Sequence, residues 1–120
     1  MFFKKNNTNK SSSNNRLHER VEFIQATYFK AQSGEPNSNV EECYLNNISI
    51  GGLSFDSKNE SLKEGDKIFI MYTVGSEVRK DELVIKHAKR VFNNWRCGCE
   101  FSDSDIIRND IIKEYITSNN

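Results

Sequence analysis

Long apolar runs and net charge are the two things that this sequence most clearly lacks. It contains no run of about 18 apolar residues, so no helix is expected to span a membrane. Its 17 basic side chains balance 17 acidic ones. This balance argues against a uniformly basic nucleic-acid-binding protein, an acidic tail protein and a fully disordered chain of high net charge. With 120 residues, of which 36% are hydrophobic, the chain is sized for one domain around a small core.

Cysteine is also scarce. The odd set of Cys43, Cys97 and Cys99 suits a reducing compartment better than a disulfide framework. A Cys-X-Cys pair with one distant cysteine is a poor zinc set, because structural zinc sites use a full tetrahedral set of ligands at wider spacing. No apolar stretch of signal-peptide length follows Lys4 and Lys5. We therefore expect a cytoplasmic protein without a metal site or cofactor.

The neutral total hides an uneven distribution of charge. The first 20 residues carry five basic side chains and one acidic one, for a net charge of +4, and the remaining residues carry 12 against 16, for a net charge of −4. Residues 4–15 are nearly all Asn, Ser and Lys, which have little to bury. We expect residues 1–15 to be a disordered basic arm and residues 16–118 to be the folded domain.

The body of the chain is dominated by strand signals. Runs rich in β-branched, aromatic and other apolar residues, separated by polar or glycine-containing turns, predict strands at 21–31, 40–50, 53–56, 67–74, 77–92 and 95–101. The fifth run fits either one long bent strand or two strands joined around Lys80 and Asp81. The fourth run is continuously apolar after Lys67, which predicts that both of its faces are covered. Turns are expected at Gly51-Gly52, Gly75-Ser76 and Asn93-Asn94, and a loop at 34–39.

The hydrophobic period changes near the C-terminus. Ile107, Ile111 and Tyr115 recur every four residues, with Ile112 and Ile116 beside them, which predicts an amphipathic helix that covers one end of the sheet. Asp103 or Ser104 is placed to cap its N-terminus, and Asp105 to favour the positive end of the helix dipole. The whole pattern predicts a mainly β fold, a six-stranded antiparallel β-barrel with a C-terminal α-helix, since closure removes exposed strand edges.

Two arginines stand where the basic arm meets the first strand. Arg16 and Arg20 are four residues apart and would share a face in a helix or in an extended segment. Two guanidiniums on one face can converge on a phosphorylated ligand, since each offers paired hydrogen bonds to phosphate or to the acceptor edge of guanine. A merely solvated basic segment is the alternative interpretation.

A second polar cluster closes the second predicted strand. Asn47 and Ser49 alternate with Ile48 and Ile50, so strand periodicity predicts the polar pair on the outer face and the apolar pair in the core. Gly52 has no side chain, which would let a flat ligand approach the backbone. The alternative is that Asn47 and Ser49 only satisfy the turn.

Taken together, the RxxxR motif at Arg16–Arg20 and the NxSxxG motif at Asn47, Ser49 and Gly52 resemble the signature of the PilZ domain family. The closing strand 97–101 and the helix after it resemble the end of that domain. The resemblance implies a receptor for the bacterial second messenger cyclic di-GMP. It also implies that the arginines contact phosphates and guanine from an arm that closes over the ligand, while the NxSxxG residues receive a guanine.

The expected function is therefore a cyclic di-GMP-binding receptor or adaptor. In it the ligand orders the arm and changes the surface offered to a protein partner of unknown identity. A PilZ-like interaction module that binds no nucleotide is one alternative, and a small barrel that binds single-stranded nucleic acid is another. The acidic body opposes the second alternative. An enzyme is not expected, because neither His18 nor His87 has a nucleophile or carboxylate at a suggestive spacing.

Overall fold

The structure is a computed structural model that describes residues 19–32 and 40–119. The expected arm at 1–15, Arg16 and the expected loop at 34–39 lie outside the described residues. The described residues form six strands and one helix, which are β1 (Val21–Ala31), β2 (Val40–Ile48), β3 (Gly52–Ser57), β4 (Lys67–Val74), β5 (Glu77–Val91), β6 (Asn94–Phe101) and α1 (Ile106–Ser118).

The strands close into an antiparallel barrel in the order β1-β2-β3-β6-β5-β4, and β4 pairs with β1 to complete the ring. In this arrangement every strand has a partner on both sides, which removes the exposed edges that favour aggregation. The predicted six-stranded antiparallel barrel with a C-terminal helix is confirmed. The predicted strand positions are confirmed as well, with ends that differ by at most a few residues.

Alternate residues of each strand fill the barrel. In β4 the side chains of Ile68, Ile70, Tyr72 and Val74 are buried, whereas Met71 between them is 48% exposed. The prediction that both faces of this strand are covered is therefore wrong. An antiparallel barrel packs one face of each strand on the core and leaves the other in contact with water, even where the sequence is apolar throughout.

The hairpin between β5 and β6 also differs from its prediction. β5 is one strand of 15 residues, so the single-strand alternative is confirmed. The turn lies at Phe92-Asn93 rather than Asn93-Asn94, because Val91 pairs with Asn94. Phe92 has a φ of 55°, in the left-handed region. The turn at Gly75-Ser76 is confirmed, and Gly75 has a φ of 62°.

Helix α1 presents most of the predicted face to the barrel, since Ile111 and Tyr115 pack against the core beside Ile112 and Ile116. Ile112 and Ile116 are buried in the core, but Ile107 is 68% exposed, so its assignment to the buried stripe is wrong. The buried face instead begins at Arg108, which is 1% exposed. The N-cap is Asp105, whose carboxylate accepts a hydrogen bond from the Arg108 amide at 3.0 Å, and not Asp103 or Ser104.

A buried ionic cluster joins α1 to the barrel. The Arg108 guanidinium lies 3.9 Å from the centre of the Phe101 ring and donates to Asp81 at 3.2 Å. Asp81 also accepts from the Tyr72 hydroxyl at 2.6 Å and from Arg79 at 2.9 Å. Burial alone would raise the pKa of Asp81, but the hydrogen bonds from Arg79 and Tyr72 outweigh it and lower the pKa.

Candidate functional site

The structure places Arg20 of the first motif beside Asn47 of the second, at the start of β1. Glu22 in β1 pairs with Asn47 near the end of β2, so Arg20 lies just beyond this pair. The Arg20 Nη1 atom donates a hydrogen bond to the Asn47 Oδ1 atom at 3.3 Å, although the two residues are 27 positions apart in the chain. Arg20 is exposed on the outer surface. Arg16, the other arginine of the motif, lies outside the described residues.

Ser49 occupies the turn between β2 and β3 instead of the outer face. It is 4% exposed. Its hydroxyl accepts a hydrogen bond from the Gly51 amide at 3.2 Å, and its own amide donates to the Gly52 carbonyl at 2.8 Å. The expectation of an outward-facing hydroxyl is therefore wrong, because Ser49 lies beyond the last residue of β2 and no longer follows strand alternation. Its role in ligand binding stays a prediction.

Gly52 is required by the packing of the barrel itself. A Cβ atom at this position would lie 1.9 Å from the backbone oxygen of Cys99 on β6, far inside van der Waals contact. Backbone atoms cannot move aside as the end of a side chain can, so no other residue fits here without displacing β3 from β6. The approach of a ligand at Gly52 stays a prediction beside this structural requirement.

The outer surface next to Asn47 carries a row of residues that runs across four strands. Asn47 in β2 is opposite Ser54 in β3, Ser54 is opposite Gly98 in β6, and Gly98 is opposite His87 in β5. We call these four residues the outer row. Their neighbours along the strands, such as Ile48 and Phe55, point into the core and are fully buried.

Register irregularities flank the outer row. In the described strands they occur between Glu22 and Gln25, between Leu45 and Asn47, and between Ile85 and His87. Each one adds a residue to one strand and so changes which side chain points outward. Bulges concentrate next to binding and active sites because they re-aim side chains. The barrel departs from regular pairing at the strands that build this surface.

A carboxylate beside the outer row is neutralised by its partners. Asp56, two residues after Ser54, accepts hydrogen bonds from Arg96 Nε at 2.7 Å and from Asn46 at 3.0 Å. Burial favours the neutral acid, but the bonds from Arg96 and Asn46 prevail and lower the pKa of Asp56. Arg96 therefore offsets the negative charge that Asp56 would otherwise present to an anionic ligand.

Three residues of this surface were not predicted from the sequence. Ser54 was detectable, since it alternates with buried Leu53 and Phe55 in a short strand beside the glycine turn. Gly98 and His87 were not detectable as partners of Asn47, because their positions depend on barrel closure and on a bulge in β5. Across residues 19–32 and 40–119, no helix is long and apolar enough to cross a membrane.

Comparison with solved structures shows the same fold in bacterial proteins. The chain superposes on YcgR from Escherichia coli in complex with c-di-GMP with a TM-score of 0.68 and 16% identity, over 88% of this chain and 46% of that one. The PilZ domain of YcgR with c-di-GMP gives a TM-score of 0.62 and 17% identity, over 87% of this chain and 93% of that one. The Bacillus subtilis inhibitor of motility MotI/DgrA gives a TM-score of 0.66 and 14% identity, over 87% of this chain and 50% of that one.

The chain thus spans about half the length of MotI/DgrA and of the YcgR chain solved in complex with c-di-GMP. No curated protein matches the sequence. The family model of the PilZ domain matches residues 14–118, which include both motifs, all six strands of the barrel and the helix. The chain therefore belongs to the PilZ domain family.

Proposed function

We propose that this chain is a non-enzymatic receptor for cyclic di-GMP. The observation that carries the proposal is the hydrogen bond between Arg20 and Asn47, since it joins the RxxxR and NxSxxG motifs at one point on the barrel surface. Similar proteins of the same fold, YcgR among them, have been solved with c-di-GMP. Their identity to this chain is low, so the local chemistry has to support the ligand independently.

The chemistry of the site suits a cyclic dinucleotide. Its two phosphates give it two negative charges, and a guanidinium such as that of Arg20 binds phosphate or the O6 and N7 atoms of guanine through paired hydrogen bonds. The amide of Asn47 offers both an acceptor and donors to the edge of a base. The pairing of Asp56 with Arg96 limits repulsion of the ligand from the neighbouring surface.

Binding has a consequence for the segment before β1. The charge of the first 20 residues is +4 and that of the rest is −4, so an anion held at their junction attracts the basic segment. In our proposal Arg16 joins Arg20 on the ligand, and the segment that carries it then lies against the barrel. The surface offered to a partner protein changes as a result.

Calorimetric titration with cyclic di-GMP tests the proposal. Charge-assisted hydrogen bonds contribute about 1.5–3 kcal/mol each, so Arg20→Ala and Arg16→Ala should each weaken binding by about 10- to 150-fold. The matched control is Arg90→Ala. Arg90 pairs with Glu60 near the β5–β6 turn, at the other end of the barrel, and this variant should bind like the unmodified protein. Absence of binding by folded, unmodified protein at high micromolar ligand would disprove the proposal.

A further inference from the structure

His87 has an unusual position on the outer surface of the barrel. A Cβ atom built on Gly98 would lie 2.3 Å from the Cε1 and Nε2 atoms of the His87 ring and 3.1 Å from Nδ1. The imidazole therefore occupies the space that any other side chain at position 98 would fill. The residue is exposed, so the ring rests on the strand on one side and is accessible to solvent on another.

The bulge in β5 is what places the ring there. Ile85 is opposite Cys99, so regular pairing would set Lys86 opposite Gly98 and His87 opposite Cys97. The extra residue shifts the register, so that His87 is opposite Gly98 and Ala88 is opposite Cys97. Without the bulge, a flexible lysine would stand at the end of the outer row instead of an aromatic ring. The bulge and Gly98 thus together place the His87 ring against β6.

The ring is within reach of a ligand bound at the two motifs. Neighbouring strands lie about 4.8 Å apart, so Gly98, two strands from Asn47, is roughly 10 Å from it across the barrel surface. The intervening strand contributes only the short side chain of Ser54 at this level, and that side chain is 5% exposed, so it is packed beneath its neighbours instead of projecting between Asn47 and Gly98. A molecule with two purine bases can contact Asn47 and Arg20 with one base and still reach the ring over Gly98.

We propose that the His87 imidazole stacks on a base of the bound cyclic dinucleotide and forms the far wall of its site. This inference rests on the proposed function and adds a ligand-contacting residue outside both motifs. Bases stack on exposed aromatic side chains whatever their identity, because every base has a π-face, and a ring held in place is already oriented for that contact. Gly98 gives that support, since its backbone is held in the sheet between β3 and β5.

The first test removes the ring. Loss of one base-stacking contact should weaken cyclic di-GMP binding of His87→Ala by about 5- to 150-fold. His87→Phe keeps an aromatic ring and should retain affinity within a few-fold, which separates stacking from hydrogen bonding by the imidazole. Thermal unfolding of His87→Ala should match that of the unmodified protein, since the ring is exposed and packs only on the surface.

The second test moves the ring without removing it. Gly98→Ala places a methyl group where the ring lies, and the ring is the end of a flexible side chain that can swing away. This variant should weaken binding in the presence of His87 and have almost no further effect in the His87→Ala background. That non-additivity is expected only if position 98 acts through the ring.

The outcomes separate the two proposals. If the unmodified protein binds cyclic di-GMP but His87→Ala binds equally well, the role of His87 is disproved and the receptor function stands. If Gly98→Ala weakens binding equally with and without the imidazole, position 98 acts directly and the inference is likewise disproved. If the unmodified protein does not bind at all, both proposals fail together.

Discussion

At the scale of single residues, the two hairpin turns of the β4-β5-β6 meander show the conformational cost of a side chain at a turn position with positive φ. Both turns have two residues and a positive φ at the first of them, Gly75 in one and Phe92 in the other. Among the described residues Phe92 is the one non-glycine residue with a positive φ. A side chain there brings its Cβ close to the backbone, whereas glycine adopts the conformation without penalty.

We predict that Phe92→Gly stabilises the protein. Phe92 is 90% exposed, so its removal loses little buried surface, and relief of the left-handed strain should raise the free energy of unfolding by about 1 kcal/mol. Urea denaturation of the variant and of Phe92→Ala as control measures the change. Phe92→Ala keeps the Cβ and should not gain stability, and an equal gain in both variants would contradict the explanation.

At the scale of elements, helix α1 is attached to the barrel by charge as much as by apolar packing. Its first buried side chain is Arg108, and the partners of that guanidinium include Asp81 on β5 and Asp103 before the helix. Removing one member of a buried ion pair leaves the other without compensation, which costs far more than the loss of an exposed pair.

Asp81→Asn should therefore be strongly destabilising. We expect the free energy of unfolding at neutral pH to fall by about 3 kcal/mol or more. Glu100→Gln, in an exposed pair with Lys86 at 4.0 Å, should cost less than about 1 kcal/mol and is the control. Urea denaturation at pH 7 compares the two. A loss for Asp81→Asn no larger than that of the control would contradict the role of the cluster.

The stability lost in Asp81→Asn should depend on pH. The pKa of Asp81 is lower in the folded protein than its ordinary value of 3.8, so the unfolded chain binds the proton more readily. The stability from the ionised carboxylate is fully present above that ordinary value and is lost as pH falls through the folded pKa. The difference between the unmodified protein and Asp81→Asn should then shrink below about pH 4.

The sequence predicted the elements better than it predicted their faces. Strand positions followed from β-branched and aromatic runs, because those patterns depend on local preferences and on burial of one face. The first turn of α1 was misassigned, with Ile107 in place of Arg108, since Arg108 looks like a solvent residue until Asp81 from a distant strand is beside it. The outer row was only partly predictable, because bulges in β1, β2 and β5 change the alternation that a strand pattern assumes.

At the scale of the whole molecule, closure of the barrel encloses all three cysteines. Cys43, Cys97 and Cys99 are free and buried. Burial raises the pKa of Cys43 and of Cys97 to about 12, because a thiolate in the apolar core would lose its hydration. The outward-facing neighbour of both Cys97 and Cys99 is Gly98, which is itself buried, and the His87 imidazole lies over it.

We predict that none of the three thiols reacts quickly in the folded protein. At pH 8 a thiol with a pKa of about 12 is ionised in roughly one molecule in ten thousand, so reaction with Ellman's reagent should wait for the barrel to open. The absorbance of the thionitrobenzoate released from the reagent should rise slowly in buffer. In denaturing urea it should rise rapidly, to three equivalents per chain. A thiol that reacts within seconds in buffer would show that the barrel wall is open beside it.

The outer row draws its four residues from β2, β3, β5 and β6, and the last of these strands completes the barrel. No single hairpin contains the row, so it forms only when β6 lies between β3 and β5. A molecule bound there binds the assembled sheet and not the unfolded chain, and its occupancy adds to stability in proportion to the logarithm of its concentration over the dissociation constant. The cellular level of the ligand would thereby also set how long each copy of the protein resists proteolysis.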